Sequence, residues 1–273
     1  MGIFDHYQRR YEAAREEEYS LQQFLELCKE DKTCYASAAE RLLLAIGEPE
    51  MVDTSQIPRL SRIFSNRVIP RYPAFRDFYG MEEAIEQIVA YLRHAAQGLE
   101  ERKQILYLLG PVGGGKSSLA EKLKSLMQRV PIYRIKGSPV NDHPFCLFDV
   151  QEDGQILEQE YGIPKRYLKT IMSPWVAKRL HEYGGDISQF RVEKVYPSIL
   201  DQIAIAKTEP GDENNQDISS LVGKVDIRKL EHFAQHDADA YAYSGSLCRA
   251  NQGLMEFVEM FKAPIKVLHP LLT

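Results

Sequence analysis

The chain has few cysteines and no long apolar segment. Four cysteines occur in 273 residues, and no two of them form a C-x-x-C pair. Such spacing predicts reduced, buried thiols and argues against a disulfide framework or a zinc site. No window approaches the ~18 uninterrupted apolar residues of a membrane-spanning helix, so we expect no membrane span. The four cysteines are Cys28, Cys34, Cys146 and Cys248.

The chain also lacks an excess of positive charge and a leader-like N-terminus. Its formal net charge is −5, so the electrostatic footprint of general nucleic-acid binding is missing. The first ten residues, MGIFDHYQRR, contain no apolar core of a secretory signal. Together with the reduced thiols, these features predict a cytoplasmic protein that does not bind nucleic acid.

Glycine is concentrated in one informative place, the run GPVGGGKSS at Gly110–Ser118. Its spacing fits G-x-x-x-x-G-K-[ST]. The apolar run Ile105–Leu109 before it is typical of a buried parallel strand, and the residues from Leu119 onward are typical of a helix. Strand, glycine loop and helix are the context that favours a phosphate-binding loop over a glycine-rich turn that matches by chance.

The chemistry of this loop follows from its residue types. Glycines let successive backbone N–H groups point into one concavity, and the following helix N-terminus adds partial positive charge. Lys116 is expected to reach the β- and γ-phosphates, and the Ser117 hydroxyl is expected to bind Mg²⁺. The predicted phosphate-binding residues are Gly110, Pro111, Val112, Gly113, Gly114, Gly115, Lys116, Ser117 and Ser118.

A second constellation lies near the end of the chain, where Gly253 opens the run Leu254–Glu259. A strand that ends in carboxylates suits a phosphate-loop enzyme, and Glu259 stands where a water-activating glutamate belongs. Val258 occupies the usual position of the metal-binding aspartate. Glu256 leaves the same face but lies roughly 6.6 Å along the strand, so we expect it to pair with a buried basic group or to reach the metal only through water. Alternatively, both glutamates only cap a strand end.

Periodicity and breakers predict the remaining organisation. Apolar spacing predicts helices around residues 21–28, 39–46, 81–96 and 175–183, and a strand at 131–135. Prolines at 58, 70 and 73 predict an extended linker whose arginines are solvated or contact a neighbouring subunit or a phosphate. The polar run at 208–217 predicts an exposed loop. We therefore expect a helical region with a linker at 1–72 and a P-loop core at 73–273.

Longer segments resemble one family, the PrkA-type bacterial serine protein kinases, which carry an N-terminal AAA+ ATPase domain. The resemblance covers essentially the whole chain and is carried by GPVGGGKSSLAEKLKSLM, SPVNDHPFCLF, KTEPGDENNQDIS, VGKVDIRKLEHFAQ and GSLCRANQGLMEFVEMFKAPIKVLHPLLT. It implies an α/β fold, with a three-layer αβα core, an N-terminal helical region and a long insertion before the Walker B segment. That segment would be Arg249–Glu259.

The resemblance also implies function. It implies ATP binding with Mg²⁺, ATP hydrolysis catalysed with Lys116, Glu259 and Glu256, and a cytoplasmic role in stress or starvation signalling. Tyr79 and Gly80 lie where such proteins cradle adenine, although packing in the core is an alternative for them. Partners implied are a protein substrate or regulator and further copies of the chain. The chain ends soon after Walker B, so we expect sensor residues and an arginine finger beyond Thr273.

The family name and the motifs differ on one point. H-R-D-x-x-x-x-N, D-F-G and a kinase glycine loop are absent from the sequence, so conventional kinase chemistry is not expected in these residues. The alternatives are a nucleotide-gated regulatory module and an ATP-driven protein-remodelling or protease engine. Among weaker candidates, Asp142 and His143 predict either an acid–base or metal pair or a loop hydrogen bond, and Trp175 predicts a core anchor.

Overall fold

Serine residues followed three positions later by Gln or Glu begin the helices Leu21–Glu30 and Ala38–Ile46 of the computed structural model. The Ser20 hydroxyl accepts from Gln23 N, and the Gln23 side chain accepts from Ser20 N; Ser37 and Glu40 repeat the arrangement. These capping boxes satisfy N–H groups that a helix start leaves unpaired. Gly47 then ends the helix that Ser37 begins, at φ 77°.

The structure describes residues 2–7, 17–168, 170–209 and 218–272. From residue 17 onward its α-helices are α1 Leu21–Glu30, α2 Ala38–Ile46, α3 Pro58–Phe64, α4 Glu82–Ala96, α5 Lys116–Met127, α6 Gly154–Tyr161, α7 Pro174–Glu182, α8 Ser219–Val222, α9 Ser246–Ala250 and α10 Ile265–Leu272. Its strands are β1 Glu17–Ser20, β2 Glu50–Asp53, β3 Val68–Arg71, β4 Ile132–Ile135, β5 Arg191–Val195, β6 Ile205–Thr208, β7 Lys224–Val225, β8 Tyr241–Ala242 and β9 Leu254–Phe257. Every helix of the described ranges falls short of the length and apolarity that a bilayer crossing requires.

Two compact units make up the chain, one from residues 1–35 and 131–273 and the other from residues 36–130. In the second unit, α2 packs against α4 and α5. Apolar side chains at helical spacing on these helices form its interior, including Leu42, Ile88 and Leu126. The domain boundary predicted between residues 72 and 73 falls inside this unit and stays a prediction.

The first unit holds most of the strands. β5 pairs antiparallel with β1 on one side and with β4 on the other, while β6 and β9 form a separate parallel pair. The side chains of α1 pack over the three-stranded sheet, where Phe24 contacts Tyr133 and Phe145. Cys28 and Cys34 are buried in the same cluster as free thiols.

Residues 58–76, predicted to be an extended linker, are structured. Pro58 occupies the first turn of α3, where its missing N–H costs nothing. Pro70 lies in β3 opposite Met51 of β2, in a two-stranded sheet. Two of the arginines form ion pairs, Arg67 with Glu83 and Arg76 with Glu50. The linker prediction was wrong because proline breaks helix interiors and central strands but fits helix starts and edges.

The strand predicted at Ile105–Leu109 is also absent from the structure. The segment lies outside every sheet of the described residues, and Leu109 exposes 83% of its surface. An apolar run predicts a buried strand only when neighbouring strands supply hydrogen bonds and cover both faces. The predicted helices and the strand at 131–135 are confirmed as α1, α2, α4, α7 and β4. Residues 210–217 of the predicted exposed loop lie outside the described residues.

Candidate nucleotide-binding site

The glycine loop is a tight turn that only glycine accommodates. Gly113 and Gly115 both have φ 77°, in the left-handed region that side chains disfavour. Gly114 donates its N–H to Pro111 O at 3.1 Å, and a Cβ on Gly114 would stand 3.0 Å from the same oxygen. The three consecutive glycines therefore set a backbone path that bulkier residues would strain.

Helix α5 begins directly from this loop. Gly115 is its N-cap and provides no side-chain hydrogen bond, and Leu119 N bonds Gly115 O at 2.9 Å. The N–H groups of the first turn have no intrahelical acceptor, and the helix dipole adds partial positive charge there. Ser117 and Ser118 lie in this turn and are exposed. The turn offers donors and hydroxyls to an anion in solvent.

The Lys116 side chain folds back over the loop. Its Nζ donates to Gly110 O at 2.6 Å and to Pro111 O at 2.7 Å. A cation is thereby held at the mouth of the glycine turn by two backbone carbonyls. The predicted loop residues from Gly110 to Ser118 thus form one local arrangement of amides, hydroxyls and an ammonium group.

The segment before α4 lies beside this loop. A Cβ on Gly115 would stand 3.0 Å from Met81 Sδ, which follows Tyr79 and Gly80. Tyr79 exposes 67% of its surface, so it is not packed in the core. The Arg59 guanidinium lies 5.7 Å from the centre of the Tyr79 ring, a cation–π contact. The place of Met81 and the contact of Arg59 with Tyr79 were not predicted from the sequence, although Met81 adjoins a predicted adenine-contacting residue.

The predicted strand of the second constellation is confirmed as β9. It pairs in parallel with β6, and Val258 N continues the ladder by bonding Thr208 O at 2.8 Å. Glu259 follows at φ 49°, so the chain turns sharply after the strand. Its carboxylate is about half exposed and lies 2.8 Å from Lys262 Nζ. Glu256 is half-buried and opposite Lys207 of β6.

The two constellations belong to different units. The loop, Lys116, Ser117 and the Tyr79–Met81 segment are in residues 36–130, whereas Glu256 and Glu259 are in residues 131–273. The structure therefore brings the phosphate-loop candidates together locally. Glu256 and Glu259, the carboxylate candidates, lie together at the end of β9 in the other unit.

Asp142 and His143 form hydrogen bonds within their loop, which is the second of the two alternatives predicted for them. Asp142 is buried and accepts from the hydroxyls of Ser138 and Ser173, both at 2.7 Å. The His143 Nδ1 accepts from Phe145 N at 3.1 Å. Both side chains thus fix the turn after β4. Trp175 is half-buried at the start of α7, with the Arg179 guanidinium 4.9 Å from its ring centre.

Comparison with known proteins identifies the family. The PrkA AAA domain matches residues 19–273. The chain is 79% identical over its whole length to the serine/threonine kinase YeaG of Escherichia coli K12, of which it covers 43%. It is 34% identical to the ATP-dependent protease PrkA of Bacillus subtilis, over 97% of the chain and 42% of that protein. The chain thus spans less than half the length of these relatives.

None of the solved structures matches the chain significantly. The family match covers both the glycine loop and the β9 segment, and it accounts for the mixed helices and small sheets as parts of an α/β P-loop fold. The chain belongs to the PrkA AAA domain family.

Proposed function

We propose that this chain binds Mg²⁺–ATP through the loop Gly110–Ser118 and works as the ATPase module of a PrkA-type protein. The observation that carries the proposal is the ammonium of Lys116, held 2.6 Å and 2.7 Å from two loop carbonyls beside an uncapped helix N-terminus. A polyphosphate placed there would gain charge-assisted hydrogen bonds from the ammonium and the loop amides.

Residues near the loop are proposed to bind the other parts of Mg²⁺–ATP. Ser117 is the proposed magnesium ligand, because its hydroxyl is exposed in the first turn of α5. Tyr79 and Gly80 are the proposed adenine contacts, supported by the exposure of the Tyr79 ring and the position of Met81 against Gly115. Hydrophobic and stacking contact with an exposed ring suits a nucleobase.

For hydrolysis we propose Glu259 as the carboxylate that polarises the attacking water. Its place directly after β9 and its half-exposed side chain support this role. Glu256 is proposed as an auxiliary carboxylate, because Val258 stands where the metal-binding aspartate is usual. ATP turnover would then drive a conformational change in stress or starvation signalling, in a cytoplasmic homo-oligomer.

A second candidate is a regulatory module, or a protein-remodelling engine, without kinase activity of its own. The relatives' names mention both a kinase and a protease. Two observations favour the regulatory module, which would hydrolyse ATP poorly: valine at position 258 cannot bind a metal, and Lys262 holds the Glu259 carboxylate in an ion pair. Both candidates require nucleotide at the same loop.

The test is calorimetric titration of the chain with ATP, with and without Mg²⁺. We expect Lys116→Ala to weaken ATP binding by about 10- to 100-fold, since a hydrogen bond to a charged group contributes ~1.5–3 kcal/mol. The matched control is Lys122→Ala, a partly exposed lysine on the same helix. Its affinity should equal that of the parent chain.

Two results would contradict the assignment. One is equal ATP affinity in Lys116→Ala and the parent chain. The other is an equal loss in Lys122→Ala, which would point to general charge attraction and not to the loop.

A further inference from the structure

Two residues that lead into β9, Asn251 and Gln252, are fixed by their side-chain amides. Gln252 donates from Nε2 to Tyr133 O at 2.9 Å and to Asn141 O at 2.7 Å. Asn251 donates from Nδ2 to Val140 O at 2.8 Å. The two side chains therefore donate hydrogen bonds to backbone carbonyls of the strand β4 and of the turn that follows it.

The acceptors of these bonds are themselves held firmly. β4 lies at one edge of its sheet among the described residues, so the Tyr133 carbonyl takes a side-chain donor in place of a further strand. The next turn is tied back to the same edge, because Ile135 N bonds Asp142 O at 2.8 Å. Gln252 thus connects the three-stranded sheet with the parallel pair β6–β9.

Asn141 anchors the turn in the interior. It is 4% exposed, and its Oδ1 accepts from Arg134 Nη1 at 2.7 Å while its Nδ2 donates to Arg249 O at 3.1 Å. Arg134 in turn forms a mostly buried ion pair of 2.6 Å with Glu193, its cross-strand partner on β5. The platform under Gln252 is therefore a satisfied polar network, which holds its members in one geometry.

The opposite side of the segment leaves no room for displacement. A Cβ on Gly253 would stand 1.7 Å from Ala204 O, and Leu254 N bonds that oxygen at 2.9 Å. Gln252 itself has φ 64°, which is costly for a residue with a side chain and persists only when its surroundings fix it. The start of β9 is thus clamped between β4 and the chain before β6.

We infer that Gln252 is a positioning residue that sets the register of β9 and, through it, the place of the Glu259 carboxylate. A shift of one residue along a strand turns every side chain to the opposite face, so the first residue of the ladder decides where the last one points. The role of Glu259 rests on the proposed function. The control of strand register does not.

The test compares two substitutions at one position. Gln252→Glu keeps the size of the side chain but removes both donors and places a carboxylate against two carbonyls. Gln252→Lys changes the size but keeps N–H donors for them. A role in filling space makes Gln252→Glu the milder change, whereas the proposed hydrogen-bonding role makes Gln252→Lys the milder one.

The first readout is hydrogen exchange of the amides at Leu254 and Val258, which bond Ala204 O and Thr208 O. We expect exchange at least about tenfold faster in Gln252→Glu, with most protection retained in Gln252→Lys. The control is Gln159→Glu, the same chemical change at an exposed position of α6. It should leave both amides as protected as in the parent chain.

The second readout separates turnover from binding. Where the parent chain hydrolyses ATP, Gln252→Glu should lower kcat about tenfold and leave ATP affinity within about twofold. If Gln252→Glu fails to fold, Asn251→Asp decides, because this exposed residue would lose only the donors that its amide gives to Val140 O and Asn141 O. It should show the same change in exchange, smaller in size.

Parent-like protection in a folded Gln252→Glu, or equal damage in Gln252→Lys, overturns the inference. When Gln252→Glu does not fold, parent-like protection in Asn251→Asp overturns it too. Failure of the parent chain to bind ATP would instead defeat the proposed function. The exchange measurement still decides the role of Gln252 in that case.

Discussion

At the scale of single residues, the candidate site depends on where a few charges are held. The Lys116 ammonium already lies over the glycine turn, bonded to carbonyls that a phosphate would replace as its partners. The ammonium is therefore held at the loop before any ligand arrives, and binding would exchange its two carbonyl partners for phosphate oxygens. Glu259 is the other charge of interest, and its ion pair with Lys262 holds it just after β9.

The proposed role of Glu259 predicts a separation between binding and turnover. We expect Glu259→Gln to bind ATP within about twofold of the parent affinity and to lose turnover by on the order of 10²-fold or more, because a general base contributes about 10²–10⁴-fold. Phosphate release and calorimetric titration on the same preparations measure the two quantities. The matched comparison is Glu256→Gln, which should reduce turnover less. A larger loss in Glu256→Gln would reverse the ranking of the two carboxylates.

At the scale of elements, an ionic contact ties α7 to the short turn at residues 237–239. Lys178 bonds Asp237 at 2.7 Å and Asp239 at 2.6 Å, and Arg179 bonds Asp239 at 2.9 Å. The hydrogen bond from Lys178 lowers the pKa of Asp237. Burial raises the pKa of Asp239, but hydrogen bonds from Arg179 and Lys178 outweigh it and leave that pKa below 3.8.

This contact predicts a pH-dependent contribution to stability. A carboxyl group whose pKa is lower in the folded than in the unfolded chain stabilises the folded state at pH values above its unfolded pKa. That stabilisation is lost as the pH falls through the folded pKa. We expect Asp239→Asn to reduce the free energy of unfolding by about 1 kcal/mol at neutral pH. The difference from the parent chain should shrink below pH 3.8.

Urea unfolding measures this difference. The single tryptophan, Trp175, reports on α7 directly because Arg179 stacks on its ring. Asp77→Asn, at an exposed aspartate, serves as control and should match the parent at every pH. An Asp239→Asn deficit that stays constant as the pH falls below 3.8 would show that the contact does not act through its charge.

Elements with a strong local signal could be predicted from the sequence. α1, α2 and α4 have an apolar stripe at helical spacing, and Gly47 supplies a stop signal. α3 and β3 could not be predicted, because a proline is equally compatible with a linker and with a helix start or an edge strand. For β3, only its pairing with β2 decides between these alternatives. The strand predicted at Ile105–Leu109 was wrong, because the apolar character of a segment does not show whether another strand lies beside it.

At the scale of the whole molecule, the chain passes from one unit into the other and back. Residues 36–130, with the glycine loop, are inserted between two parts of the unit that contains β9. The loop itself could be predicted from the sequence, because its backbone conformation requires glycine at particular positions. The contacts of Gln252 with Tyr133 and Asn141 could not, because they join residues more than a hundred positions apart.

The central claim is that the loop Gly110–Ser118 holds a triphosphate. The most direct measurement is a crystal structure of the chain grown with a non-hydrolysable ATP analogue and Mg²⁺. The account predicts the β-phosphate within hydrogen-bond distance of the loop amides, Lys116 Nζ turned from Gly110 O and Pro111 O toward the phosphates, and Mg²⁺ on the Ser117 hydroxyl. A loop without nucleotide in such crystals, with Lys116 still bonded to the two carbonyls, would contradict it.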